Sequence, residues 1–139
     1  TGIVLSKEGG ALSEMLPAFR AGVGGRLGNG EQWMSWIHLQ DLIRIYIQAL
    51  NNENIFGPVN GVAPSPVKNK EFTRTLSKVI HRPAFMSVPK IALKAIFGEK
   101  SVILTSSQKV LPEKLFNLSF AFKYSDLGSA LRAELASES

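Results

Sequence analysis

Residues 22–41 read GVGGRLGNGEQWMSWIHLQD, and the parsing of this stretch decides the fold. Gly22 to Gly30 is too rich in glycine for a helix interior and reads as a loop. Trp33 to His38 is dense in aromatic and β-branched residues and reads as a short strand. A helix opens around Leu39 to Asp41. Loops that read ligands tend to sit where a strand hands over to a helix, because unpaired backbone N–H groups there can meet a ligand. The rest of the chain is therefore arranged around one loop–strand–helix unit.

Before this unit, Thr1 to Ser6 reads as a buried strand, with Ile3, Val4 and Leu5 as a continuous apolar run. A chain that opens inside such a strand is expected to have begun earlier. Residues 11–21 suit a helix with Leu12, Met15, Leu16 and Phe19 on one face, and Pro17 is expected to bend or break it. After the unit, residues 39–50 give a helix whose apolar face is expected to carry Leu39, Leu42, Ile43, Tyr46, Ile47 and Leu50. Asp41 falls in its first turn, where the helix dipole favours a carboxylate. Asn51, Asn52, Gly57 and Pro58 mark its exit, and Val59 to Val62 suits a short strand.

Asn69 is the expected cap of a further helix with Phe72, Leu76, Val79 and Ile80 in one stripe, stopped at Arg82-Pro83. Phe85 to Val88 reads as a strand. Helices are expected from Pro89 to Phe97, over 99–107 and from Pro112 to Leu118. Phe120 to Tyr124 is the last expected strand. Ser125 is expected to cap a final helix with Leu127, Ala130, Leu131 and Leu135 on its buried face.

Strands and helices alternate first and helices dominate later, which argues for an α/β chain of short strands with a helix-rich second half. The reading places a core unit with the ligand loop over 1–62 and a helix-rich subdomain over 63–139. A length of 139 residues and 45% apolar content allow a real hydrophobic core. No run reaches the ~20 apolar residues of a membrane-spanning helix, and no signal peptide is visible. The absence of cysteine excludes disulfides and thiolate metal sites and suits a cytoplasmic location. The net charge of +5 is concentrated in Lys68, Lys70, Arg74, Lys78, Arg82, Lys90, Lys94 and Lys100, opposed locally by Glu71 and Glu99 alone. Such a surface can attract nucleic acid or an acidic partner, although a basic helix face is more commonly just solvated.

The central stretch also carries a resemblance. Trp36-Ile37-His38-Leu39-Gln40-Asp41 resembles the aromatic-Ile-His-Val-x-Asp signature of extended short-chain dehydrogenase/reductases, the NAD(P)-dependent sugar-nucleotide epimerases and dehydratases. Thr1-Gly2-Ile3-Val4-Leu5, Gly24-Gly25-Arg26-Leu27-Gly28 and Gln32-Trp33-Met34-Ser35 bring it closer to the SDR39U-type epimerase family proteins. The likeness runs on through Arg82-Pro83 to Phe120-Ala121-Phe122 and Ala130-Leu131-Arg132. It implies the C-terminal, substrate-binding portion of a Rossmann-like enzyme that uses NAD or NADP for hydride transfer at a carbinol or carbonyl carbon.

The family's N-terminal dinucleotide unit and its Tyr-x-x-x-Lys pair have no counterpart here: Tyr46 is followed at the fourth place by Leu50, and Tyr124 by Gly128. The resemblance therefore implies neither a bound cofactor nor a catalytic residue in this chain, and it implies a missing N-terminal domain as a partner, with self-association through the opened strand. Met34 stands where the family usually has an arginine for the substrate diphosphate, which leaves Arg26 to supply the cation.

Other chemistry is weakly supported. Gly22 and Gly24 start a G-x-G-x-x-G fingerprint, but Leu27 holds the place of the third glycine and the loop precedes a strand instead of following one. Ser35, His38 and Asp41 match a triad in composition only, since triads converge from separate segments. Two distant histidines without cysteine do not make a metal site. Trp33 and Trp36 should point to opposite faces of their strand, one into the core and one toward a cleft. The expected substrate contacts are Arg26, Gln32, Trp33, Ser35 and Trp36, with Asp41 structural. The competing expectation is a non-enzymatic module that binds nucleic acid or an acidic partner through the basic 68–100 surface.

Overall fold

The computed structural model describes residues 3–22, 24–51, 60–83, 86–88, 91 and 109–135. Within them β1 (Ile3–Leu5) leads to α1 (Gly10–Arg20), then β2 (Gly25–Leu27), β3 (Trp33–Met34), β4 (Trp36–His38) and α2 (Leu39–Asn51). There follow β5 (Val67–Lys68), α3 (Asn69–Ile80), β6 (Met86–Val88), α4 (Glu113–Asn117) and α5 (Leu127–Leu135). The helices expected over 89–97 and 99–107 lie outside the described residues, apart from Ile91, which is helical.

The organising pair is β1 and β4, parallel and in register with Ile3 opposite Trp36, Val4 opposite Ile37 and Leu5 opposite His38. Successive side chains of a strand point to opposite faces, and a parallel pair is normally covered on both. That is the arrangement here. Ile3, Leu5 and Trp36 join a core with Leu12, Leu16, Phe19, Phe72, Leu76, Leu131 and Leu135. Val4 and Ile37 face the other way, into a second cluster with Ile45, Leu115 and Phe120. The uninterrupted Ile-Val-Leu run is thus explained by burial on both sides. The larger core draws on residues from both ends of the chain.

Several expectations are corrected. The stretch 33–38 is two strands, not one: β3 pairs antiparallel with β5, while β4 pairs parallel with β1. Ser35 sits at the changeover, its carbonyl accepting the Ile3 N–H at 2.8 Å. Gly25–Leu27, read as loop, is a strand parallel to Met86–Val88. The chain passes through Pro17 without ending α1, because Pro17 lies on the exposed side while Met15, Leu16 and Phe19 hold the helix to the core.

Residues 60–62 form no regular strand, and Ala63 donates its N–H to the Trp36 carbonyl at 2.7 Å. Phe120 to Tyr124 is irregular, since the N–H groups of Lys123 and Tyr124 go to the Asp41 carboxylate instead of a ladder. Asp126, not Ser125, caps α5 by accepting the Ser129 N–H at 3.0 Å. The largest correction concerns α2. Its buried residues are Asp41 and Ile45, whereas Tyr46 is 60% and Leu50 85% exposed, with Ile43 and Ile47 beside them. The helix is docked through Asp41 and Ile45 and not along the stripe of largest apolar residues.

Candidate functional site

The loop before β3 is held by the helix that follows β5. The first N–H groups of a helix have no partner inside it. In α3 the Asn69 N–H is accepted by the Gln32 carbonyl at 2.9 Å, and the Lys70 N–H by the Gly30 carbonyl at 2.9 Å. Asn69 is therefore the first residue of α3, not its cap. It is buried, with its side-chain amide 3.4 Å from the Met34 sulfur. Gly30 has φ +69°, and a Cβ there would lie 2.9 Å from Lys70 Cβ and 3.2 Å from Arg26 Cβ. Glycine is needed for both conformation and space. Its absent side chain lets Arg26 and Lys70 come together over the loop.

Charge is distributed around this loop in a way the local sequence does not reveal. Glu31 accepts from Lys70 Nζ at 2.7 Å and from Lys68 Nζ at 3.0 Å. These bonds, Lys70 first, pull its carboxyl down to about 2. The basic stretch thus has an acidic partner from outside its own segment. Lys68 Nζ also lies 5.6 Å from the centroid of the half-buried Trp33 ring, and Lys109 Nζ lies 4.4 Å from it. Ammonium groups are drawn to the negative face of an indole.

The five expected contact residues have different fates. Arg26 is exposed on β2, and Gln32 and Trp33 are half-buried on the β3 side. Ser35 is buried, and its hydroxyl accepts the Val110 N–H at 2.9 Å, which holds the Lys109 segment over β3. Trp36 is 0% exposed and donates its indole N–H to the Ser65 carbonyl at 2.7 Å. Of the two tryptophans, Trp36 enters the core and Trp33 keeps an open edge. Nothing local in the sequence links Lys109 to Trp33, and Lys68 is visible there only as one of a run of basic residues.

Asp41, expected to be structural, has a fully buried carboxylate. It accepts the Lys123 N–H at 2.9 Å, the Tyr124 N–H at 2.9 Å and Arg44 Nη1 at 2.8 Å. His38 is also buried, and its ring lies 4.1 Å from that of Tyr124. Ser35 and Asp41 are each taken up by backbone N–H groups, so the two do not converge with His38 on a common reacting point.

The glycine loop does not suit a dinucleotide phosphate. A phosphate cradle needs free N–H groups and close backbone access. Gly24 instead faces Phe19, where a Cβ would sit 2.7 Å from the ring, and the leading N–H groups of α3 are already taken by loop carbonyls. Among the described residues no group of three or more His, Asp or Glu side chains could hold a metal ion. Among them, too, no helix is long and apolar enough to cross a membrane.

Comparison with known proteins fits this architecture. Residues 88–134 match a family described as a domain of unknown function, DUF1731. The chain is 46% identical over 132 residues to the chloroplastic epimerase family protein SDR39U1 homolog of Arabidopsis thaliana, covering 95% of this chain and 38% of that one. It is 45% identical over 130 residues to the epimerase family protein SERP0438 of Staphylococcus epidermidis, covering 94% and 44%. The chain belongs to the SDR39U1-type epimerase family.

The crystal structure of the human family member SDR39U1, solved with NADPH, superposes with a TM-score of 0.90 at 38% identity, over 97% of this chain and 46% of that one. A nucleoside-diphosphate sugar epimerase from Corynebacterium glutamicum superposes at 0.71 and 36% identity, over 96% and 25%. The fold is thus Rossmann-like α/β, and the chain covers a C-terminal part of these neighbours. It spans less than half the length of the SDR39U1-type relatives it matches.

Proposed function

We propose that this chain is the substrate-binding portion of an NAD(P)-dependent, epimerase-like oxidoreductase and that it is not catalytic alone. The observation that carries the reading is Trp33. It is half-buried, stands on the paired β3–β5 ribbon beside the loop, and is flanked by Lys68 and Lys109. A rigid aromatic with the Lys109 ammonium against its ring suits an anionic, partly planar ligand such as a nucleotide-linked sugar. Arg26, Gln32 and Trp33 would touch it. Ser35 and Trp36 act from behind, by holding the 109–110 and 65 segments.

The NADPH in the human relative's structure supports NAD or NADP as cofactor of the whole enzyme. The absence of cysteine suits the cytoplasm or a similarly reducing compartment. The nucleic-acid alternative is less favoured, since Lys68 and Lys70 are committed to Glu31.

The test is a fluorescence titration of the wild-type chain and Trp33→Phe with UDP-glucose, UDP and free glucose. Saturable quenching by the nucleotides, lost in Trp33→Phe and absent with glucose, supports the reading. No ligand-dependent change, or the same change in both proteins, overturns it.

A further inference from the structure

His38 ends β4, and its surroundings hold it in one protonation state. Its Nδ1 accepts the Gln40 N–H at 3.0 Å, so the ring proton must sit on Nε2. Nε2 lies 3.2 Å from Glu134 Oε2 of α5 without forming a hydrogen bond, a contact that becomes an ion pair when the ring is protonated. The other oxygen of Glu134 accepts the Lys7 N–H at 2.8 Å, just past the end of β1. One carboxylate therefore straps the ends of both parallel strands to the last helix. The neighbours that face the imidazole are Glu134 from α5, Asp41 from α2, and Lys123 and Tyr124 from the segment before α5.

We propose that His38 is an acid-sensitive latch between β4 and the start of α2. A proton added to the ring must go to Nδ1, where it meets the Gln40 N–H donor head-on. The accepting bond is lost and the first turn of α2 is released at Gln40, while Glu134 attracts the new charge and keeps its hold. Burial, the largest influence, opposes protonation; the Glu134 and Asp41 carboxylates favour it, and Lys123 opposes it. The net direction is below the ordinary imidazole value of 6.5. A group that is neutral when folded supports the fold above its unfolded value and withdraws that support as pH falls below it. The latch is therefore closed above about pH 6.5 and opens on acidification.

Amide hydrogen exchange at about pH 7.5 and about pH 5, corrected for intrinsic rates, tests this. Protection of the Gln40 amide should fall about tenfold or more in acid for the wild type. His38→Asn keeps an acceptor near the Nδ1 position without titrating, and its protection should not change. Glu134→Gln removes a charge that favours the imidazolium, so its loosening should move to lower pH. Equal acid sensitivity in His38→Asn, insensitivity of the wild type, or a shift to higher pH in Glu134→Gln would each overturn the latch. If His38→Asn fails to fold, nitrogen NMR of the wild-type imidazole decides: a ring protonated on Nδ1 at neutral pH rules the latch out.

Discussion

Removing the Asp41 carboxylate should be among the most damaging single changes on α2. Asp41→Ala strips two backbone N–H groups, Lys123 and Tyr124, of a charged acceptor at 2.9 Å each. Hydrogen bonds to charged groups contribute about 1.5–3 kcal/mol apiece, and a buried donor left without a partner pays its own desolvation cost. Arg44 also loses its partner, but its side chain is 42% exposed and stays hydrated, so that pair adds little. The expected loss is about 3–5 kcal/mol.

With a urea slope of about 1.5 kcal/mol/M for a domain of this size, the unfolding midpoint drops by about 2–3 M. Asp41→Asn keeps one acceptor oxygen and turns an amide donor toward the other N–H; about 1.5–3 kcal/mol is expected, which keeps the experiment readable if Asp41→Ala does not fold. Arg44→Ala, which removes the exposed partner and its contact with the Phe120 ring at 5.1 Å, should cost no more than about 1 kcal/mol. Urea melts followed by tryptophan fluorescence give all three values. A loss under about 1 kcal/mol for Asp41→Ala, or equal losses for Asp41→Ala and Arg44→Ala, would show that the backbone bonds do not anchor α2.

Further outcomes follow from the same geometry. Glu31 has its carboxyl lowered from 4.5 to about 2, so its contribution is present above about pH 4.5 and lost as pH falls toward about 2; in a series of thermal melts, Glu31→Gln should remove that part of the acid sensitivity, and high salt should blunt it in the wild type. Trp36→Ala should cost about 3–5 kcal/mol in urea melts, whereas Trp33→Ala should cost much less, and comparable losses would place Trp33 in the core. NADPH titrated against the purified chain should give no saturable change in its own fluorescence, because the glycine loop and the α3 N-terminus leave no phosphate cradle; micromolar saturation would contradict that.

Much of the fold is legible in residue order. The Ile3-Val4-Leu5 run, the Phe72–Ile80 stripe and the Leu127–Leu135 face all lie where periodicity puts them, because their apolar side chains recur at the spacing of the element they form. The stripe on α2 shows where that logic stops. Ile43, Tyr46, Ile47 and Leu50 have helical spacing, yet that face is exposed, because Asp41 and Ile45 dock the helix on its other side. Periodicity reports that a face is apolar and says nothing of what meets it.

The candidate site divides along the same line. The sequence by itself determined the family likeness and offered Arg26, Gln32, Trp33, Ser35 and Trp36 as contacts, since each rests on residues close along the chain. Only the tertiary structure decided that Trp36 is enclosed while Trp33 is not, that Lys109 lies against Trp33, and that Glu31 holds Lys68 and Lys70. It alone decided that Glu134 straps His38 and Lys7 together. The reason is physical. Local spacing sets the direction in which a side chain leaves its own backbone, but charge contacts act over a few ångströms of space, and which distant residues share that space is settled only when the apolar faces have packed.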